Sequence, residues 1–229
     1  MRLLLLLLLL WPAWLSAEPL RFETQMGICN QGLAPDGIWW SSLYPTDIDR
    51  RSFCWQAGIS QAPWKYQDWS FGWRAAYVDL GKVTADNQWS YLEPQRYYEG
   101  TDCDSATSEG CRGRGQIKQT TRGVTLGVLT EHKAGDFTLG AEGGLYLYRS
   151  VFKVDISSTP DPSSVPSSSY KWASNRTTGY YGLSAQYGYL FATARVYSNI
   201  RATEEYCQEC GGITGGKAWQ ATMGVQVPF

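Results

Sequence analysis

The 229-residue chain balances Lys+Arg 20 against Asp+Glu 21, and its formal net charge of -1 gives no electrostatic reason to bind nucleic acid. Its 11 Trp, 15 Tyr and 24 Gly exceed what an ordinary soluble domain carries, and amphipathic aromatics of this kind collect at membrane interfaces.

The chain opens with Arg2, an apolar core from Leu3 to Leu10, and Trp14-Leu15-Ser16-Ala17 ending in a small residue. This is the layout of a secretory signal peptide, so the expected organisation is a signal at 1–17 and one domain over 18–229. The alternative is an uncleaved anchor, but the apolar run falls short of the about 20 residues a spanning helix needs and Pro12 interrupts it. No cysteine follows the core closely, which leaves no signal for lipid attachment. Further on, no apolar stretch is long enough for a membrane helix, and the mean hydropathy is -0.32. A barrel strand, however, needs apolar residues only at alternate positions, so its average stays low although one face meets lipid.

That alternation runs through the rest of the chain. Phe22, Thr24, Met26 and Ile28 oppose Arg21, Glu23, Gln25 and Gly27. Phe53, Trp55, Ala57 and Ile59 follow, joined by a short connection at 63–68 to Trp69, Phe71, Trp73, Ala75 and Tyr77, which oppose Ser70, Gly72, Arg74 and Ala76. Val124, Leu126 and Val128 lead through a short turn at 133–136 into Phe137, Leu139, Ala141, Gly143, Leu145 and Leu147. Tyr181, Leu183, Ala185 and Tyr187 reach Leu190, Ala192, Ala194 and Val196 across 188–189, and the last segment sets Trp219, Ala221, Met223, Val225, Val227 and Phe229 on one parity. Eight strands result.

Long connections are expected near 33–48, 86–114, 157–169 and 206–218, the third marked by Pro160, Pro162 and Pro166. All fall at the end opposite to the short turns. The expected fold is therefore all-β: an eight-stranded antiparallel up-and-down transmembrane barrel with short periplasmic turns and long extracellular loops. A soluble lipocalin-like barrel is the competing fold, and in it the apolar parity would face inward around a ligand.

The stretch Gly72-Trp73-Arg74-Ala75-Ala76-Tyr77-Val78-Asp79-Leu80-Gly81 resembles the strand found in OmpA-like and opacity-type barrels. The alternating terminus ending in Phe229 resembles their assembly signal. The resemblance implies a bacterial outer-membrane location, insertion by the barrel-assembly machinery, and adhesion or envelope-structural roles.

The six cysteines are Cys29, Cys54, Cys103, Cys111, Cys207 and Cys210, an even number in an exported chain, where disulfides persist. Six allow fifteen pairings, and the strand map favours the three local ones, Cys29–Cys54, Cys103–Cys111 and Cys207–Cys210, all on the long-loop side. The spacing of Cys207 and Cys210 also suits a redox pair or half a zinc site, although it lies between strands rather than at a helix N-terminus.

Arg21, Glu23, Arg74, Glu142 and Arg195 occupy the parity opposite to the apolar face. Lipid would penalise an Arg at the midplane by a few kcal/mol, so these charges are expected in the lumen, as a network of Arg and Glu pairs. Catalysis lacks parts. His132 is the only histidine, it adjoins a turn on the periplasmic side, and no serine lies near it as a barrel-type lipid deacylase would require. Glu131-His132 could form a general-base pair, with a solvated turn as the plainer reading. Asn175-Arg176-Thr177 is formally a glycosylation sequon, without meaning in a bacterium. Trp39, Trp40 and Tyr44 are candidates for a surface contact patch, although with Trp89 and Tyr91 a place in the interfacial girdle or in loop packing is the plainer reading.

The expected function is structural or surface-interacting, adhesin-like and non-catalytic; a small gated pore or ligand carrier is the alternative. No cofactor or metal is called for. Expected partners are outer-membrane lipids including lipopolysaccharide, the assembly machinery, and a host or envelope surface ligand, with the barrel itself a monomer.

Overall fold

A computed structural model describes residues 19–31, 46–90, 112–159, 168–200 and 216–229. Its strands are β1 (Arg21–Gln31), β2 (Thr46–Asp49), β3 (Arg51–Tyr66), β4 (Trp69–Ser90), β5 (Arg112–Ala134), β6 (Phe137–Thr159), β7 (Ser168–Tyr187), β8 (Leu190–Ile200) and β9 (Gly216–Pro228). β1 pairs antiparallel with β3, β3 with β4, and each strand from β5 to β8 with the next, and β1 also pairs with β9, with Arg21 opposite Pro228 and Gln31 opposite Ala218. The β4–β5 pairing completes the ring. β2 prolongs β3 along the same partner, since Asp49 lies opposite Thr84 and Trp55 opposite Asp79. The described strands therefore form eight staves of a closed, all-β barrel.

Polarity is inverted relative to a water-soluble core. Met26, Phe53, Val128, Leu183 and Met223 are 60 to 71% exposed, whereas Glu23, Gln56, Ser60, Arg74, Thr125, Arg195 and Gln220 are buried. The lipocalin-like alternative is thereby corrected: the apolar parity faces out and the charged parity fills the lumen, which in an eight-stranded barrel has room only for side chains.

Exposed aromatics mark the turn end, where Trp64, Tyr66, Trp69, Phe71, Phe137, Tyr187 and Tyr189 lie. From Phe137 to Leu147 the outward positions of β6 carry no charge. At about 3.4 Å per residue and a tilt of about 40°, this stretch rises roughly 25 Å, the height of the apolar band of an outer-membrane barrel. β4 to β7, at 22, 23, 23 and 20 residues, run well past it, while β1 and β8 stop at 11.

Several boundaries differ from those the sequence suggests. The segment at 63–68 is not all connection: β3 continues to Tyr66, and Pro63 sits where the β3–β4 register shifts between Gln61 and Trp64, because a bulge tolerates a residue without an N–H. Likewise the turn expected over 133–136 is only Gly135–Asp136. The expected connections at 86–114 and 157–169 are partly strand, since Ser90 pairs with Arg112, which pairs in turn with Thr159. Parts of 33–48 and 206–218 are strand too, in β2 and the start of β9.

Three two-residue turns close one end, with positive φ at Gln67 (55°), Gly135 (63°) and Gly188 (57°) and at neither residue following. This pattern belongs to the type II′ hairpin, which matches strand twist and asks for Gly first. At Gly81 (φ 79°) a second bulge shifts β4 against β5; a Cβ there would meet the Phe53 carbonyl at 2.2 Å.

Candidate functional site

The lumen gathers charge from four strands. Arg74 on β4 donates from Nη1 to Glu142 Oε2 on β6 at 2.7 Å, and Arg195 on β8 donates from Nε to Glu142 Oε1 at 2.6 Å. Arg74 Nε lies 3.2 Å from Glu23 Oε2 on β1, near enough for an ion pair though not aligned as a hydrogen bond. Arg195 Nη1 also donates to Gln56, whose Oε1 accepts from Gln220 Nε2 at 3.0 Å, and Tyr197 donates to Gln220 Oε1 at 2.6 Å. Two carboxylates thus oppose two guanidiniums in a buried interior, where a charge is tolerable only when paired and hydrogen-bonded.

The network continues toward the turn end. Gln25 Oε1 accepts from Thr193 and Thr222, both at 2.8 Å, and Gln226 Nε2 donates to Ser60 Oγ at 3.2 Å. Arg21 stands apart from the central quartet, paired with Glu131 at 3.0 Å. Aromatic rings cover the guanidiniums, with Phe191 4.8 Å from Arg74 and Tyr180 5.5 Å from Arg195. Gly127 makes room for this arrangement, because a Cβ at that position would lie 2.3 Å from the Tyr180 hydroxyl.

Toward the other end the lumen turns apolar. Tyr146 stacks on Tyr148 at 5.2 Å and leans on Tyr197 at 5.0 Å, within a buried cluster that includes Val78, Leu80 and Ile200. The same cluster holds Cys29 and Cys54, joined in a disulfide with a Cα–Cα distance of 5.8 Å. Closing a connection of sequence separation 25 restricts the unfolded chain by about 3 kcal/mol on the chain-entropy model.

Cys103, Cys111, Cys207, Cys210, Trp39, Trp40, Tyr44 and Tyr91 lie outside the described residues, and Trp89 is described only as part of β4. Phe229 is 70% exposed at the turn end, its N–H donating to the Leu20 carbonyl at 2.9 Å. Glu131 and His132 do not form a general-base pair, since neighbours on a strand point to opposite faces. Glu131 is buried against Arg21, and His132 packs on Trp69 with ring centroids 4.7 Å apart. Nor is the pair a solvated turn, because both residues belong to β5. Among the described residues no cluster of His, Cys, Asp and Glu could hold a metal.

Sequence alternation did not single out Gln56, Glu131, Gln220 or the tyrosine cap. Parity was the available signal: with Val124, Leu126 and Val128 outward, Glu131 had to point inward. Polar residues at inward positions look alike in sequence, so only the fold shows which reach the quartet.

Outside the barrel, past the apolar stretch, two cross-strand rows of basic residues lie on β5, β6 and β7, among uncharged outward positions such as Thr120, Val151, Ala173 and Asn175. Lys118 lies opposite Lys153, and Lys153 opposite Lys171; nearer the belt, Arg122 lies opposite Arg149. Asp155 sits among the lysines, 2.9 Å from Lys153 Nζ and 3.8 Å from Lys118 Nζ. Hydrogen bonds from Lys153 and from Ser169 hold its carboxyl below the usual aspartate range.

No family model matches the chain, and no curated protein does. Two similar solved structures are of Ail, the attachment invasion locus protein of Yersinia pestis. One, in complex with the heparin analogue sucrose octasulfate, is 10% identical over 91% of this chain and 99% of that one, with a TM-score of 0.43. The other is 10% identical over 92% and 99%, with a TM-score of 0.32. The assignment of a closed barrel rests on this chain's own strand pairings.

Proposed function

We propose that the chain is exported, spans the bacterial outer membrane as a closed barrel of the OmpA-like and opacity-like kind, and acts by contact at its long-connection end. Catalysis and conduction are not its work. The carrying observation is the sealed lumen: Glu23, Arg74, Glu142 and Arg195 are all buried and cross-linked, and tyrosines cap them. A water path would need these groups to part, and breaking such a pair costs about 3–5 kcal/mol. The inverted polarity supports membrane residence, because an uncharged outer band with aromatics at its turn end suits lipid and would be a liability in water.

In this reading residues 1–17 direct export, the assembly machinery inserts the barrel, and lipopolysaccharide surrounds it. A surface ligand meets the long connections, with the remaining cysteines pairing locally beside it.

Gel mobility of membrane-extracted protein with and without heating, joined to planar-bilayer recording, tests the proposal. The expected result is a heat-shifted band and no conductance. Steady ion conductance would favour the pore reading, and a water-soluble protein without heat shift would sink membrane residence.

A further inference from the structure

We infer that the outer face of β5, β6 and β7 just beyond the apolar belt is a binding site for the phosphorylated headgroup of an outer-leaflet lipid. The inference rests on the membrane reading above and deepens it by locating the lipid contact.

Like charges directly opposite on neighbouring strands repel. This face nevertheless aligns Lys118, Lys153 and Lys171 in one cross-strand row and Arg122 with Arg149 in another. Internal compensation is partial. Asp155 reaches Lys153 and Lys118, and Asp79, opposite Arg122 in register, instead accepts a hydrogen bond from the Gly81 N–H at 2.8 Å. Among the described residues Arg122, Arg149 and Lys171 form no ion pair with a carboxylate. An external anion would remove the repulsion.

Position selects an amphiphile over a soluble polyanion. Arg122 is two residues beyond Val124 on β5, and Arg149 two beyond Leu147 on β6, so both follow the lipid-facing positions on the same parity. A groove of about 620 Å³ joins the two chemistries, lined by Tyr77, Val124, Leu126 and Leu147 together with Arg122 and Arg149. An acyl chain can lie against the apolar side chains while guanidinium forks take phosphate oxygens in pairs. The lysine row lies about four residues farther from the belt, where a second phosphate or core-sugar phosphate would sit.

Binding to the detergent-solubilised full chain would be measured by native mass spectrometry for diphosphorylated lipid A, its dephosphorylated form, and heparin as a soluble polyanion. Variants K118Q/K153Q/K171Q and R122Q/R149Q are exposed enough to keep the barrel, which a retained heat shift would verify. Wild type is expected to prefer the phosphorylated lipid. The triple variant should bind it on the order of a hundredfold more weakly, at roughly fivefold per basic residue, while K118R/K153R/K171R keeps affinity. Equal binding of both lipid forms, unchanged affinity in both Gln variants, or patch-dependent binding of heparin alone would overturn the inference and leave the barrel standing. Loss of the heat shift in wild type would overturn both.

Discussion

Glu142 shows what a single buried carboxylate does in this interior. Its two oxygens serve Arg74 and Arg195 at 2.7 and 2.6 Å, so it is the only described acid that bridges both guanidiniums. Replacing it by Gln keeps the shape and removes the charge. Two arginines would then share Glu23 alone, and an uncompensated buried charge costs about 3–5 kcal/mol. The Glu142→Gln barrel should accordingly lose its heat-shifted band at a lower urea midpoint, by an amount of that size after multiplication by the slope. A midpoint within experimental scatter of wild type would mean that water already screens the quartet. These charges were legible before the fold because lipid forbids them on the other parity. Their partners were not: Gln220 lies directly opposite Arg195 across the β8–β9 pairing, but Gln56 reaches Arg195 from β3, and that approach depends on barrel closure, which no local pattern contains.

Strands inside the belt were visible in the sequence because one face must be apolar there and the other polar. Beyond the belt both faces meet water, and the contrast fades. Lys118, Gln119, Thr120 and Thr121 show no period, yet they lie within β5, paired with Lys153, Phe152, Val151 and Ser150 of β6. That is why the strand ends at Ser90, Arg112, Thr159 and Ser168 escaped a reading by alternation, and why Pro63 looked like a turn when it is a bulge. At the opposite end the turns are short enough for one residue to matter. Gln67 holds φ at 55° where Gly135 and Gly188 fill the equivalent positions, and a non-glycine residue there carries about 1 kcal/mol of backbone strain. Gln67→Gly should raise the urea midpoint, by about that much once multiplied by the slope, with no change in the slope itself. A fall would show that the Gln side chain contributes more than its backbone costs.

At the scale of the whole molecule, the barrel divides its lumen between two kinds of seal. The ionic quartet blocks the half nearer the turns by charge pairing, and Tyr146, Tyr148 and Tyr197 close the other half by stacking, beside the Cys29–Cys54 disulfide. On the proposed function either layer alone is expected to exclude ions: a hydrated cation passing the quartet must compete with Arg74 and Arg195 for carboxylates, and one passing the tyrosines must shed water against rings. Removing a single group should therefore leave the barrel silent, whereas clearing two members of the acid–base bridge and one of the cap should join the remaining spaces. Glu142→Ala, Arg195→Ala and Tyr146→Ala together delete a matched pair of charges, so no buried charge is orphaned by number, and Tyr197 loses a ring neighbour without losing Gln220. On planar bilayers this triple variant is expected to pass ions while the wild type and the Tyr146→Ala single variant do not, with the heat-shifted band showing that the barrel has survived. Conductance already present in the single variant would mean that the quartet is no barrier and that the tyrosine cap alone separates this barrel from a pore.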